Sequence, residues 1–289
     1  MLIFISFYNK SSLMRLSVVY RDTIDVDSIR RIVDLGVHEI MIDATRGLGV
    51  IREAASITDE IGVPLNVLMD SSCFGASHLI PGGYETYHGY LERLEMMGVG
   101  AVTLTEAYLI DMVKNEFTMD VVASNILSVT TIAKARYLEG LGVDRIILDP
   151  DINHDLELLC RIKETVSCDL ILLVNEGCIK GCPFKNAHNN LISHLEGAKP
   201  VPKIESDYYS TWCISKKRNN PILIHDSGWI KPEDIEKYID IGFDNFMIGA
   251  YRGRCPLNWT LSVVEAYRSR RFEGDPVNIL TTPLEGRDA

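Results

Sequence analysis

GVDRIILD, residues 142–149, is a phrase that the chain uses four times. It returns as GVHEIMID at 36–43, as GVGAVTLT at 98–105 and as GFDNFMIG at 242–249. Each copy opens on glycine, takes a short step that is polar in all but the second copy, and runs into consecutive apolar residues. Apolar residues at helical spacing precede the copies, as with Ile29, Ile32, Val33 and Leu35 before the first and Ile235, Tyr238, Ile239 and Ile241 before the last. The glycine fits the position just past a helix, where a left-handed backbone carries no steric penalty. The apolar run fits a strand covered on both faces, as parallel strands are. Each phrase therefore reads as helix end, turn and buried strand.

Similar runs lie between the copies. Together they predict eight strands, at 16–20, 38–43, 65–69, 101–104, 120–123, 145–149, 170–174 and 244–248, most of them separated by helical stretches. Alternating strand and helix implies a parallel sheet. Eight such units in one domain of about 250 residues point to closure, an α/β fold of the (β/α)8 TIM-barrel type. A doubly wound open sheet is the alternative. No Gly-x-Gly-x-x-Gly follows the first strand, which weakens a dinucleotide-binding reading. The barrel domain is placed at 14–270, with terminal extensions at 1–13 and 271–289. Met14 could be a second start, because the regular pattern begins at Arg15.

The rhythm breaks once, in an insertion at 177–230 after strand seven, where only ILIHD (222–226) reads as a further strand. Long insertions in compact domains usually have a function. This one leaves the C-terminal end of a strand, the face on which such barrels carry their chemistry. It opens with Cys178 and Cys182.

The chain has 289 residues, 46% of them hydrophobic and 24% charged, enough to bury a core without disulfides. A formal charge of -11 disfavours a general nucleic-acid binder, whose affinity comes from clustered Lys and Arg. Lys216-Lys217-Arg218 and Arg268-Ser269-Arg270-Arg271 read as solvated surface. The opening MLIFISFY is too short for a membrane span and lacks the marks of a signal peptide. Seven cysteines, an odd number, suit a reducing compartment, so a cytoplasmic location with no membrane contact is expected.

Cys160 and Cys168 read as packing residues, since free cysteine is commonly buried. The role of Cys255, just after the last strand, is open. Cys73 follows strand three on the same rim as Cys178, and Cys213 lies in the insertion within DYYSTWC. Cys73, Cys178, Cys182 and Cys213 are therefore expected to converge at one end of the barrel. Four thiolates can hold tetrahedral zinc or a four-iron cluster. Structural packing, or a nucleophilic cysteine served by His188 or His194, stays open at this point. Asp43, Asp70, Glu106, Ser124, Asn125, Asp149, Asn175, Glu176, Tyr251 and Arg252 fall at or just beyond strand ends, where they serve either chemistry or loop capping. His38, His88 and His154 read as surface residues.

LNVLMDSSC (65–73), VVASN (121–125), RIILDPDINHD (145–155), LLVNEGCIKGCPFKNAHNN (172–190) and WIKPEDIEKYIDIGFDNFMIGAYR (229–252) occur in an order that resembles the collagenase-like peptidase family, often called U-32. The likeness runs from about 15 to 254, and its most specific part is the NEGC-x3-CPF-x3-H block. The resemblance implies a barrel domain and carries an old peptidase label without settled catalytic residues. Better-understood relatives look like four-iron proteins of the oxygen-independent hydroxylation of ubiquinone precursors or RNA bases. By resemblance, Cys178 and Cys182 are ligands of a 4Fe-4S cluster, Cys213 matches a later cysteine, and Cys73 is the fourth. Many relatives draw all four from the later region, which makes Cys255 the substitute for Cys73. Asn175 and Glu176 adjoin Cys178, where hydrogen bonds would tune a cluster. Arg252 could grip a carboxylate or phosphate in bidentate fashion. These three are the catalytic candidates. The substrate implied is a small molecule or RNA, and pairing among relatives suggests a homo- or hetero-oligomer. Two other readings stand beside the iron–sulfur enzyme. One is a peptidase, which needs an activated nucleophile or metal-bound water, although neither Gly-x-Ser-x-Gly nor His-Glu-x-x-His is present. The other is a non-catalytic partner held together by a structural cluster or zinc.

Overall fold

The four repeat glycines turn the chain out of its helices. Gly36, Gly98, Gly142 and Gly242 have φ of +87°, +81°, +85° and +92°, a region that penalises any residue with a Cβ. The computed structural model describes residues 14–195, 207–250 and 255–280. Its strands are β1 (Arg15–Val19), β2 (Glu39–Asp43), β3 (Leu65–Met69), β4 (Ala101–Leu104), β5 (Asp120–Ala123), β6 (Arg145–Leu148), β7 (Asp169–Leu173) and β8 (Asn245–Ile248). They pair in parallel in chain order, and β8 returns to β1, closing a (β/α)8 barrel. Each expected strand is present within a residue or so of its expected bounds.

Around the barrel run α1 (Val26–Asp34), α2 (Gly47–Ile61), α3 (Gly83–Met96), α4 (Ala107–Glu116), α5 (Ile132–Gly140), α6 (Leu156–Thr165), α7 (Lys185–Leu195), α8 (Tyr208–Asn219), α9 (Ile222–His225), α10 (Ile235–Asp240), α11 (Leu257–Ser269) and α12 (Val277–Leu280). Several start on side-chain caps. Asp25 accepts the Ser28 N–H, Thr131 that of Lys134 and Asp155 that of Leu158, each satisfying a donor that the helix leaves open. The ILIHD run is a correction: it forms α9 and no strand. Pro221 precedes it with φ of -59°, and Ile224 is buried while Ile222 is 53% exposed. That pattern lacks the alternation or two-sided burial that a strand needs.

Two apolar clusters form. The larger packs helices against the outside of the sheet and takes in Cys255, Ile279 and Leu280. The smaller fills the barrel with Val19, Met41, Leu68, Ala101, Val122, Ile147, Ile171, Leu173 and Met247. Beneath it, at the N-terminal ends of the strands, Arg145 of β6 meets Glu39 of β2 across the barrel at 2.8 Å. Above it lies the mouth. No helix among the described residues is long and apolar enough to cross a membrane.

Candidate active site at the barrel mouth

Residues at the strand ends, or one or two steps beyond them, crown the apolar plug with polar groups. Arg21, just past β1, donates to Asp43 Oδ1 at 2.7 Å, and both side chains are largely covered. Asp70, just past β3, accepts from the Ser124 hydroxyl at 3.2 Å. Burial, and then the charge of Asp43, push its carboxyl up to about 6, while Arg21 and Ser124 pull the other way. Asp149, just past β6 and 2% exposed, takes Lys185 Nζ at 2.7 Å. Burial works against the charge of Lys185, but Asp149, Asp151 and Glu176 outweigh it and its pKa is raised.

Lys185 connects this floor to the thiols, because its charge is also felt at Cys178. Glu176 Oε1 accepts the Cys178 N–H at 2.8 Å. The Glu176 carboxylate first, and burial second, hold the Cys178 thiol well above the usual range. Cys213, on α8, is close enough to Cys178 and to Cys182 for the thiols to influence each other. Burial raises its pKa, and Lys217 opposes the rise. Lys217 itself is buried and donates to the Gly177 carbonyl at 3.0 Å, which fastens α8 to the start of the insertion.

Cys73 stands on the neighbouring loop. Its sulfur accepts the Gly75 N–H at 3.4 Å. The loop is tied to α7, where Ser193 Oγ accepts the Ser72 N–H at 3.0 Å and Asn190 accepts the Ser72 hydroxyl at 2.8 Å. Cys73 is thereby anchored to the helix that follows Cys182, although no direct interaction joins it to the other three thiols. Cys255 is fully buried in the larger core cluster. Among the described residues, no three His, Cys, Asp or Glu side chains gather in single-ion geometry. The donor chemistry fits a thiolate-held group in part. Three thiols share one neighbourhood, and a backbone N–H already points at the fourth.

The expected catalytic residues divide. Asn175 bridges β7 to the residue after β8, donating to the Gly249 carbonyl at 2.9 Å and accepting its N–H at 2.8 Å. Its amide is engaged in closing the barrel. Glu176 faces the thiols, and Arg252 lies outside the described residues, as does Tyr251. His188 pairs with Asp207 and Ser210, each at 3.3 Å, and braces α7 against α8. Arg21, Lys185 and Lys217 carry much of the site's charge; Arg21 and Lys185 did not stand out in the sequence, and Lys217, expected as solvated surface, is buried because its ammonium reaches the Gly177 carbonyl. The position of Arg21 two steps past β1 is the signal that could have found it.

No family model matches the chain, but individual proteins do. It is 35% identical over 224 residues to an uncharacterized protease of Methanocaldococcus jannaschii, a match spanning 77% of this chain and 65% of that protein. It superposes on the solved structure of the U32 peptidase Mk0906 with a TM-score of 0.62 and 25% identity, covering 83% of this chain and 94% of the other. In both sequence and fold the chain is similar to a U32 peptidase. The chain spans 65% of the length of the archaeal relative. The U32 resemblance of the NEGC-x3-CPF-x3-H block thus falls on the mouth, where Glu176, Cys178, Cys182 and Lys185 meet.

Proposed function

We propose that the chain holds a four-iron cluster at the barrel mouth through Cys178, Cys182 and Cys213, with Cys73 as fourth ligand, and serves an oxygen-independent hydroxylation of an organic substrate. The observation that carries this reading is the meeting of three thiols from two separate segments, 178–182 and α8, over the C-terminal ends of the strands. Thiolates in that number suit iron–sulfur chemistry. Cys255 is less suited as the fourth because it is sealed in the core. When bound, such a cluster supplies electron exchange to the site. The protein's own groups do the rest. Lys185 and Lys217 bring positive charge toward the sulfurs and offset the negative charge that thiolates bring. Glu176 orients the Cys178 backbone. The apolar plug closes the mouth from below, so a substrate there meets a floor with little water.

The test is purification without oxygen, followed by iron and sulfide analysis and electron paramagnetic resonance. About four irons per chain are expected, with loss of iron in Cys178→Ala and Cys213→Ala. A well-folded, iron-free protein would refute the reading. The names of the two relatives favour a second reading, a peptidase. Cleavage of peptides that persists in Cys178→Ala/Cys182→Ala would select it.

A further inference from the structure

Apart from the thiols, the mouth carries carboxylates over β2, β3 and β6. They divide unequally. Asp43 is held by Arg21 at 2.7 Å, and Asp149 by Lys185 at 2.7 Å. Asp70 receives no cation at that distance, only the Ser124 hydroxyl at 3.2 Å and its own backbone N–H, and it faces the like charge of Asp43. Asp70 is half-buried, while its partner Ser124 is fully buried. We propose that Asp70 is a catalytic proton-exchange residue for a neutral substrate carrying a weakly acidic O–H or N–H, bound on the apolar plug.

The geometry suits that task. A carboxylate locked to a cation is a poor proton acceptor, because losing its charge also loses the ion pair. Asp43 and Asp149 are locked in this way and Asp70 is not. Arg21 lies near enough to temper the charge on Asp70 but spends its close contact on Asp43. Ser124 holds the carboxyl in place through a hydrogen bond that either protonation state can keep. Burial and Asp43 set its pKa at about 6, close to where an acid–base catalyst at neutral pH is most effective. The step balances. Ionised Asp70 takes the proton of the substrate O–H or N–H and becomes a neutral acid, the substrate becomes its conjugate base, and the reverse transfer restores both. An anionic substrate would be repelled by Asp43 and Asp70 together, which is why a neutral one is specified. This inference stands apart from the cluster: Asp70 variants should keep their iron, and iron-free variants should keep the titration of Asp70.

The experiment uses the full chain in two measurements. Carbon-detected NMR of the aspartate carboxyls across pH 3–8 should show one group with a midpoint near 6. That signal should vanish in Asp70→Asn and move toward the ordinary carboxylate range in Asp43→Asn, a variant that reports even if Asp70→Asn folds poorly. The second measurement adds 4-nitrophenol, whose neutral and ionised forms absorb at different wavelengths. Between pH 6.5 and 7.5 the wild-type protein should lower the ionised fraction of the probe, because ionised Asp70 accepts the O–H of the neutral form and repels the phenolate, with Asp70→Asn having much less effect and Asp70→Glu restoring part of it. An ordinary midpoint for Asp70, or the same probe spectrum with wild type and Asp70→Asn, overturns the proposal.

Discussion

At the scale of one residue, Asp70 ties function to stability. Its carboxyl sits at about 6 in the folded chain, against an ordinary value of 3.8. The folded state therefore binds its proton more tightly than the unfolded state does. The resulting stabilisation is complete below about pH 4 and is lost as pH rises through about 6, by an amount on the order of 2–3 kcal/mol. Asp70→Asn removes this dependence. Thermal unfolding should give similar midpoints for the two proteins near pH 4 and a higher midpoint for the variant at pH 7.5; a wild-type midpoint that rises between pH 4 and 6 relative to the variant would contradict the assignment. A residue that destabilises its own fold at neutral pH is a mark of a working site. The sequence placed Asp70 on the rim, since the end of β3 could be read from its apolar run. It did not reveal the partners. Arg21 and Asp43 are 22 positions apart, and Lys185 and Asp149 are 36 apart. Only barrel closure brings such pairs together, and no local pattern encodes them.

At the scale of elements, the strands were legible because parallel strands buried on both faces leave continuous apolar runs, and because each repeat glycine marks a helix end. The insertion was not. The segment α8 carries Tyr208, Trp212, Lys216 and Lys217 without a clean apolar stripe, since it is fixed by particular contacts such as Lys217 to Gly177. Short apolar runs such as 222–226 do not distinguish strand from helix. The insertion returns to the barrel through Gly228, whose carbonyl accepts from Asn153 Nδ2 at 2.6 Å while the same amide donates to the last residue of β7 at 2.9 Å. A Cβ on Gly228 would lie 2.4 Å from Pro150 Cβ and 2.5 Å from the Pro150 carbonyl oxygen. Neither neighbour is a flexible side-chain tip, so the backbone must shift. Gly228→Ala should cost about 3 kcal/mol, read as a lowered urea midpoint. Gly89→Ala on α3, with nothing within 4 Å of the added methyl, should be neutral or slightly stabilising. Equal effects at the two sites would show that Gly228 is not a fixed junction.

At the scale of the whole molecule, the barrel carries ion pairs at both ends and, between them, an apolar plug broken by the buried Thr103–Asn66 hydrogen bond, and the two charged ends differ in kind. The mouth holds the Arg21–Asp43 and Lys185–Asp149 pairs, whereas the opposite end is crossed by Arg145 and Glu39. Glu39 and Arg145 begin β2 and β6, which are four places apart in the closed ring, so their 2.8 Å contact spans the barrel. The Glu39 side chain is 6% exposed and that of Arg145 18%. Glu39 Oε2 and Arg145 Nε are buried with no hydrogen-bond partner among the described residues. The pair is thus joined at one contact and undersatisfied at the rest, the situation in which desolvation offsets most of the Coulombic gain. Losing one partner is a different matter, because the other charge is then stranded. Arg145→Met should destabilise the chain by about 3–5 kcal/mol, while Glu39→Leu/Arg145→Met should recover most of that loss and approach the stability of the wild type. Denaturant unfolding of the two single variants and the double variant measures the coupling directly. If the double variant falls as far as the sum of the single ones, Glu39 and Arg145 are not coupled, and each is held at the base of the barrel by contacts other than their 2.8 Å ion pair.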